Sequence, residues 1–170
     1  MSSPVTSQAP GVAAGGPRAL RIHHVGVTVA QLERSLVFYR DLLGFRVIGI
    51  SDDEDIGAIV GIPGARARIA DLDAGNGQIL ELAEYDPASR GEPGRGPHTA
   101  GSCHLSFQVA SLRSALSQLA AAGVTPVGET ALLESGGVWQ GCTIVYVRDP
   151  DQVTIELIEL PGTGDHGPCE

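Results

Sequence analysis

Alternating apolar and polar residues predict that the folded part of the chain begins with a β-strand. Over residues 21–29, every second residue from Val25 onward is valine, and small or polar residues lie between them. The pattern changes to a helical period over residues 30–43, where leucines and two aromatic residues form one apolar stripe. Gly44 is placed to end this helix, and the apolar run 45–50 predicts the next strand.

The remainder of the first half predicts three more strands. Residues 56–62 form a short apolar run that ends in Pro and Gly, and the acidic residues 52–55 before it predict an exposed loop. Residues 66–72 and 78–85 flank a turn sequence rich in Asp, Gly and Asn, so we expect them to pair as a hairpin. Counting the short central pieces together, the first half has the order βαβββ.

The second half of the chain repeats the first. Residues 102–123 repeat residues 22–44 in outline, and matched positions such as Leu36 and Leu116 lie 80 residues apart. A duplication of this kind predicts two copies of one supersecondary unit. We therefore expect an α+β fold of two tandem βαβββ modules. The expected segments are a disordered leader, the first module, a linker, the second module and a tail, over residues 1–19, 20–86, 87–101, 102–160 and 161–170.

The second module follows the same order of elements. Ser111 can cap a helix that is expected over residues 111–122. The strands are expected over residues 102–109, 124–128, 131–134, 137–147 and 152–160. Because each module has one helix, that helix covers only one face of its own sheet, and the other face must contact something else.

Polar residues recur on the uncovered faces of the two predicted sheets. Strand alternation places His24 and Glu81 on this face in the first module, and His104 and Glu156 in the second. Two neutral imidazoles and two carboxylates carry a charge of about −2, which balances a divalent cation and is costly to bury without one. Imidazole with carboxylate suits Zn, Ni, Co, Mn or Fe(II). We therefore expect a metal site at these four residues.

Each of these residues has a simpler explanation as well. A single histidine in a strand is commonly a hydrogen-bonded structural residue, and Glu84 and Glu159 show that glutamates at strand ends can be solvated. The duplication of the His and Glu pair at equivalent positions favours metal binding. His23 competes with His24 as a ligand, but its parity predicts that it shares the helix-covered face.

Composition excludes several classes of function. The formal net charge is −9 and the pI is near 4.9, which argues against binding to nucleic acid or to an acidic membrane surface. All 11 basic residues are Arg, and the absence of Lys excludes Schiff-base chemistry, pyridoxal phosphate anchoring and a P-loop. The expected ligand is therefore a small molecule.

The cysteines and the N-terminal sequence predict a cytoplasmic protein. The three cysteines have neither the spacing of a zinc site nor that of a disulfide framework, which fits a reducing compartment. Residues 1–19 lack a cationic start and a sustained apolar run, so they do not resemble a secretory signal. No apolar stretch is long enough to span a bilayer.

Four stretches of the sequence carry a family resemblance: HHVGVTVAQLERSLVFYRDLLGF, ILELAEY, CHLSFQV and YVRDPDQVTIELIEL. They resemble the vicinal oxygen chelate superfamily, of the glyoxalase, bleomycin resistance protein and dioxygenase type, over roughly residues 20–160. The resemblance implies paired βαβββ modules that form a curved mixed sheet, or cup, around a divalent metal. The superfamily's ligand positions fall on His24, Glu81, His104 and Glu156.

The resemblance also implies a type of reaction. Enzymes of this superfamily bind substrates with two adjacent oxygens, and Glu156 is placed as the base that removes a proton next to a carbonyl. We expect an epimerase, an isomerase or a glyoxalase-like lyase. The alternatives are an Fe(II) dioxygenase that cleaves rings and a resistance protein that binds an antibiotic or another small molecule.

The chain departs from the methylmalonyl-CoA epimerases of this superfamily at one position. Methylmalonyl-CoA epimerases carry an additional glutamate where this chain has Ala58, which argues against a two-base reaction. Arg66 and Arg68 alternate along one strand face and are placed either to hold a substrate carboxylate or to be solvated. The superfamily includes cups that close within one chain and cups that close across a dimer, and we expect a homodimer.

Overall fold

The computed structural model describes residues 19–88, 91, 97–134 and 137–163. The strands are β1 Val25–Thr28, β2 Arg46–Asp55, β3 Arg66–Asp73, β4 Ile79–Tyr85, β5 His104–Gln108, β6 Ala131–Leu132, β7 Thr143–Arg148 and β8 Thr154–Glu159. The helices are α1 Leu32–Leu36, which continues as a π-helix Val37–Leu42, α2 Gly57–Val60, α3 Leu112–Ala121 and a 3₁₀ turn Gly137–Trp139. The predicted leader lies outside the described residues except for residue 19, and the predicted linker and tail are described only in part.

The two halves form two sheets with the same connectivity. Their strand orders are β1-β4-β3-β2 and β5-β8-β7-β6. In each sheet the first and last strands of the module pair in parallel, and the other neighbours pair antiparallel. The predicted α+β fold of two βαβββ modules is confirmed. Among the described residues, no helix has the length and apolarity needed to cross a bilayer.

The strand predicted over residues 56–62 is wrong, because this segment forms the short helix α2. A Cβ atom at Gly57 would lie 2.7 Å from the carbonyl oxygen of Ile62, so the backbone closes on itself more tightly than a strand allows. The apolar side chains of the segment do not share one face, since Ile56 is buried against Ala65 and Ala67 while Ile59 is 84% exposed. Apolar character alone therefore gave the wrong element here.

The acidic residues 52–55 were expected in a loop but belong to β2. Arginines on the neighbouring strand β3 hold them there. Arg66 forms an ion pair with Asp53, and Nε of Arg68 lies 3.3 Å from a carboxylate oxygen of Asp52. Cross-strand pairs of opposite charge stabilise a sheet, so these carboxylates are compatible with strand structure.

The middle strands of the second module are shorter than predicted. Residues 124–128 form no strand, although the amide of Val127 donates to the carbonyl of Tyr146 at 2.8 Å. The beginning of the strand predicted over 137–147 is a 3₁₀ turn. Gly137 and Gly141 adopt φ angles of 69° and 84°, which an extended strand does not contain.

Each module ties its helix to its own sheet through a glutamate on the last strand. A carboxylate oxygen of Glu84 accepts a hydrogen bond from the amide of Leu32 at 2.8 Å, and Glu159 accepts one from Leu112 at 2.6 Å. These carboxylates satisfy amides in the first turn of α1 and α3 and complement the helix dipole. The expectation that Glu84 and Glu159 are only solvated is therefore wrong, while Ser111 caps α3 as predicted.

The two modules share one apolar core. Residues on the helix-covered faces of both sheets belong to the same buried cluster, and the rings of Phe45 and Phe107 meet edge to face with centroids 4.9 Å apart. The Tyr39 hydroxyl donates to a carboxylate oxygen of Asp149 at 2.9 Å, and both residues are buried. Burial raises the pKa of Asp149 and that of Tyr39. The open face of each sheet therefore lies on the side away from this shared core.

We predict that Tyr39→Phe destabilises the folded chain by about 1–3 kcal/mol, because it leaves the buried Asp149 carboxylate short of one donor. The measurement is the free energy of unfolding in urea. Arg34→Gln removes a more exposed contact between the modules, the ion pair with Asp151, and we expect it to cost less than about 1 kcal/mol. Equal effects of the two substitutions would contradict this assignment.

We also predict that Glu159→Ala destabilises the chain by about 1 kcal/mol, because the first turn of α3 loses the acceptor on β8. Thermal unfolding followed by circular dichroism measures the change. Glu129→Ala is the matched control, since Glu129 is exposed in a loop. If both variants melt at the same temperature, the carboxylate of Glu159 does not stabilise the helix.

Candidate functional site

The open face of the second sheet carries a row of polar side chains. Leu105 and Phe107 of β5 pack on the shared core, so His104, Ser106 and Gln108 lie on the opposite face. The same alternation places the β8 residue Glu156 there, since its neighbours on either side are buried in the core. The strand register sets Glu156 directly between Ser106 and Tyr146.

Glu156 has two carboxylate oxygens in different surroundings. The hydroxyl of Ser106 donates to one oxygen at 2.6 Å, and Nε2 of His104 lies 3.9 Å from the other. The rings of His104 and Tyr146 have centroids 5.4 Å apart. Burial raises the pKa of Tyr146, as do the charge of Glu156 and the hydrogen bond to it. Tyr146 therefore remains a neutral hydrogen-bond donor, and one Glu156 oxygen is directed toward His104.

Three of these side chains, those of His104, Ser106 and Glu156, line a cavity of about 470 Å³. Its polar wall consists of His104, Ser106, Gln108 and Glu156, and its apolar wall of Leu133, Trp139, Ile144, Ile158 and Leu160. Trp139 is the only tryptophan of the chain and is 56% exposed. A cavity with one polar and one apolar wall suits a small molecule that presents oxygens at one end.

The open face of the first sheet carries two neighbouring carboxylates. Glu81 of β4 pairs with Gly26 on one side and with Asp71 on the other. A Cβ atom at Gly26 would lie 3.4 Å from a Glu81 carboxylate oxygen, so the glycine leaves room for this side chain. Within the described residues, Glu81 and Asp71 form no hydrogen bond or ion pair. Like charges in directly opposite positions disfavour strand pairing, so this face suits a cation.

The two histidines of the first module precede β1. His23 and His24 are both exposed, and their Nδ1 atoms lie 3.0 Å apart. The face on which His23 lies stays a prediction, because it precedes β1 and its side chain is exposed. The choice of His24 as the ligand stays a prediction, based on its equivalence to His104.

Of the four predicted ligands, the structure brings His104 and Glu156 together on the open face of the second sheet, while Glu81 lies on the open face of the first sheet and His24 precedes β1 beside His23. Over the described ranges, no three residues among His, Cys, Asp and Glu are close enough together to hold a metal ion. The donor types of the predicted set, imidazole and carboxylate, fit a divalent transition metal. The donor number within one chain does not, because His104 and Glu156 supply only two donors and no other described His, Cys, Asp or Glu joins them. A complete site therefore needs donors beyond those that one face provides.

Three polar residues on the open faces were not identified from the sequence. Asp71 and Tyr146 both lie directly across from a predicted ligand glutamate, and Arg148 ends the strand that carries Tyr146. The period of two in β3 and β7 gives the face of each residue. Only the strand register shows which residues are neighbours, and a single sequence does not reveal it.

Arg66 and Arg68 were considered from the sequence as ligands for a substrate carboxylate. Both bind carboxylates of the chain itself. Arg66 pairs with Asp53, and Arg68 pairs with Glu33 at 2.8 Å and with Asp52. Arg68 also lies on the helix-covered side of its sheet, since Glu33 belongs to α1. Neither arginine faces the cavity.

Comparisons with known proteins agree with the geometry of the fold. Residues 21–157 match the Glyoxalase/Bleomycin resistance protein/Dioxygenase superfamily. The chain is similar to 2-epi-5-epi-valiolone epimerase of an Actinomyces species, with 31% identity over 86% of this chain and 83% of the relative. It is also similar to lactoylglutathione lyase of Haemophilus influenzae, with 26% identity over 85% of this chain and 96% of the relative.

The fold resembles a solved structure of the same type. A glyoxalase family protein from Bacillus cereus superposes with a TM-score of 0.72, and the match covers 88% of this chain and 100% of that protein. Sequence identity is 21%, so the likeness concerns the fold alone.

Proposed function

The chain belongs to the Glyoxalase/Bleomycin resistance protein/Dioxygenase superfamily, and we propose that it is a divalent-metal-dependent enzyme that removes a proton next to a carbonyl group. The observation that supports this most is the His and Glu pair repeated on the open faces of the two modules. In the second module, the pair lies in a cavity, with Nε2 of His104 3.9 Å from a Glu156 oxygen. The substrate would be a small oxygenated molecule that contacts the polar wall of this cavity.

We infer that the metal is held by His24 and Glu81 of one chain and by His104 and Glu156 of a second copy. The unpartnered carboxylates on the first open face and the histidine and glutamate on the second support this arrangement. Facing the two open faces toward each other combines the donors that one chain keeps apart. A twofold dimer then forms two equivalent sites, because each chain contributes both of its faces.

Glu156 is the proposed base. The hydrogen bond from Ser106 holds one of its oxygens, so the other is oriented toward the cavity. That oxygen accepts the proton from the carbon beside the carbonyl and returns it to the product. A bound divalent cation would supply stabilisation of the negative charge that develops on the substrate oxygen. Tyr146, held neutral beside Glu156, donates hydrogen bonds to the carboxylate or to the substrate.

The names of the relatives support epimerase or lyase chemistry over ring cleavage. One of the two relatives is named as an epimerase and the other as a lyase, and neither is named as a dioxygenase. The carboxylate Asp71 beside Glu81 also weakens the argument from Ala58, because the open face of the first module does contain an additional acid. A protein that only binds its ligand would use the same cavity without proton exchange.

We predict that Glu156→Gln slows proton exchange by at least about 100-fold, because general base catalysis contributes factors of this size. The probes are 2-epi-5-epi-valiolone and the hemithioacetal of methylglyoxal and glutathione, incubated with the metal-supplemented protein in deuterium oxide. Nuclear magnetic resonance measures the deuterium that appears at the carbon beside the carbonyl. Glu129→Gln is the control and should exchange as the natural chain does.

Two results would argue against this proposal. Ligand binding without deuterium incorporation in the natural chain would favour a binding protein. Oxygen consumption with a catechol and Fe(II) would favour a dioxygenase.

We predict that two metal-deficient variants complement each other. His24→Ala and His104→Ala should each lose zinc as separate proteins. A mixed dimer is purified through different affinity tags on the two chains. It keeps His104 on one chain and His24 on the other, so one of its two shared sites is complete and it should bind about half the zinc of the natural dimer. Elemental analysis measures the metal, and light scattering measures the assembly. A monomeric protein with one zinc per chain, or a mixed dimer that holds no more zinc than the single variants, would exclude the shared site.

A further inference from the structure

Arg148 lies on the open face of the second sheet, in the same row as His104. It ends β7, where the register pairs it with Thr154, and Thr154 pairs in turn with His104. Tyr146 precedes it by two residues and contacts the His104 ring, which gives both β7 residues the same face. Glu156 is the diagonal neighbour of Arg148 across β8, a relation that separates residues by roughly 7–8 Å.

One edge of the Arg148 guanidinium is anchored and the other is free. Nη1 donates to the carbonyl oxygen of Gln152 at 2.9 Å and to the hydroxyl oxygen of Thr154 at 2.5 Å. These contacts use both hydrogens of Nη1. Nε and Nη2 have no partner within the described residues, and together they form the edge that binds a carboxylate through two parallel hydrogen bonds.

The anchor of Arg148 is itself rigidly built. Gln152 has a φ angle of 69°, which is uncommon for a residue other than glycine, and its amide donates to the carbonyl of Asp149 at 3.1 Å. The buried Asp149 carboxylate also accepts from the amides of Asp151 and Val153. The carbonyl that holds Arg148 is therefore fixed before any ligand binds, and such preorganisation lowers the entropic cost of binding.

Arg148 differs from most described arginines in lacking a carboxylate partner. The arginines that pair with Asp or Glu are Arg34, Arg40, Arg46, Arg66 and Arg68. Within the described part of the chain, Arg21 and Arg113 also have no acidic partner, but Arg21 is exposed before β1 of the first module and Arg113 is exposed on α3, which covers the other side of the sheet. A half-buried guanidinium with free donors on the face of the candidate site is therefore placed to bind an anionic ligand.

We propose that Arg148 binds a carboxylate of the substrate, so that the substrate class is a small oxygenated acid. The inference rests on the proposed function for the position of the reacting end, where two adjacent oxygens lie near His104 and Glu156. The carboxylate at the other end meets the free edge of Arg148. The diagonal spacing from Glu156 suits an acid whose chain has about four carbons in all, both ends included.

The test compares two acids that differ only at the end expected to meet Arg148. Malate and 2-hydroxybutyrate share a four-carbon chain and a 2-hydroxy acid end, and malate has an additional carboxylate. Their affinities for the full chain are measured by titration calorimetry, with quenching of the single Trp139 as a second readout. Each titration is made with and without one equivalent of Zn²⁺.

The natural chain should bind malate at least about tenfold more tightly than 2-hydroxybutyrate, the factor expected for one charge-assisted contact. Arg148→Gln should reduce this ratio to about one. Arg113→Gln makes the same change of charge on the helix side and should leave the ratio unaltered. Arg148→Lys keeps the charge without the planar edge and should retain part of the preference, and the melting temperature of each variant verifies folding.

The proposal is wrong if the natural chain does not distinguish the two acids, if neither binds at millimolar concentration, or if Arg148→Gln and Arg113→Gln give the same ratio. These outcomes are separable from failure of the proposed function. A preference for malate that depends on Arg148 but not on Zn²⁺, in a protein without proton exchange, would retain the acid site and reject the enzyme.

Discussion

The buried carboxylate of Asp149 connects the two modules and also fixes the turn beside the candidate site. It accepts a hydrogen bond from the Tyr39 hydroxyl of the first module and from two backbone amides of the turn between β7 and β8. This one group orients the helix of the first module against the second module. It also fixes the turn that holds Arg148. The arrangement of the modules and the geometry of the candidate site therefore share one cause, although Asp149 itself does not face the cavity.

The duplication explains what the two open faces have in common, and the departures from it explain how they differ. Each module has a histidine and a glutamate at equivalent places in the sequence. The residue beside the glutamate on the first strand is Gly26 in one module and Ser106 in the other, and the residue on the opposite strand is Asp71 or Tyr146. The first face is therefore acidic and, among the described residues, has no donor to Glu81, while the second face supplies a hydrogen bond from Ser106 to Glu156. One duplicated framework thus carries two chemically distinct halves.

The sequence predicted the features that depend on short-range periodicity. The alternation of residues correctly separated the core side of β1, β4, β5 and β8 from the open side, and the repeat correctly predicted the two modules. Periodicity failed where a backbone contact decides the structure. At Gly57 the backbone approaches Ile62 closely, and the apolar segment there forms a helix instead of a strand. It also failed for residues 52–55, because the arginines that hold them are on a strand whose register is not local.

Features of the candidate site divide in the same way. His104 and Glu156 were found because each has a counterpart 80 or 75 residues earlier in the chain. Arg148 has no such counterpart, and its role depends on the partners of individual nitrogen atoms. Arg66 and Arg68 show the converse, since their alternation suggested a ligand site while their charges are satisfied within the sheet. Parity identifies a face, but only three-dimensional contacts identify which charges on it are available.

The caps formed by Glu84 and Glu159 have a consequence for how such a protein can evolve. Each module closes its own helix onto its own sheet through a contact that does not involve the open face. Substitutions on an open face consequently leave the caps and the shared core untouched. The residues that contact a ligand can therefore change in evolution independently of those that keep the chain folded. Each half can in this way acquire its own chemistry after a duplication.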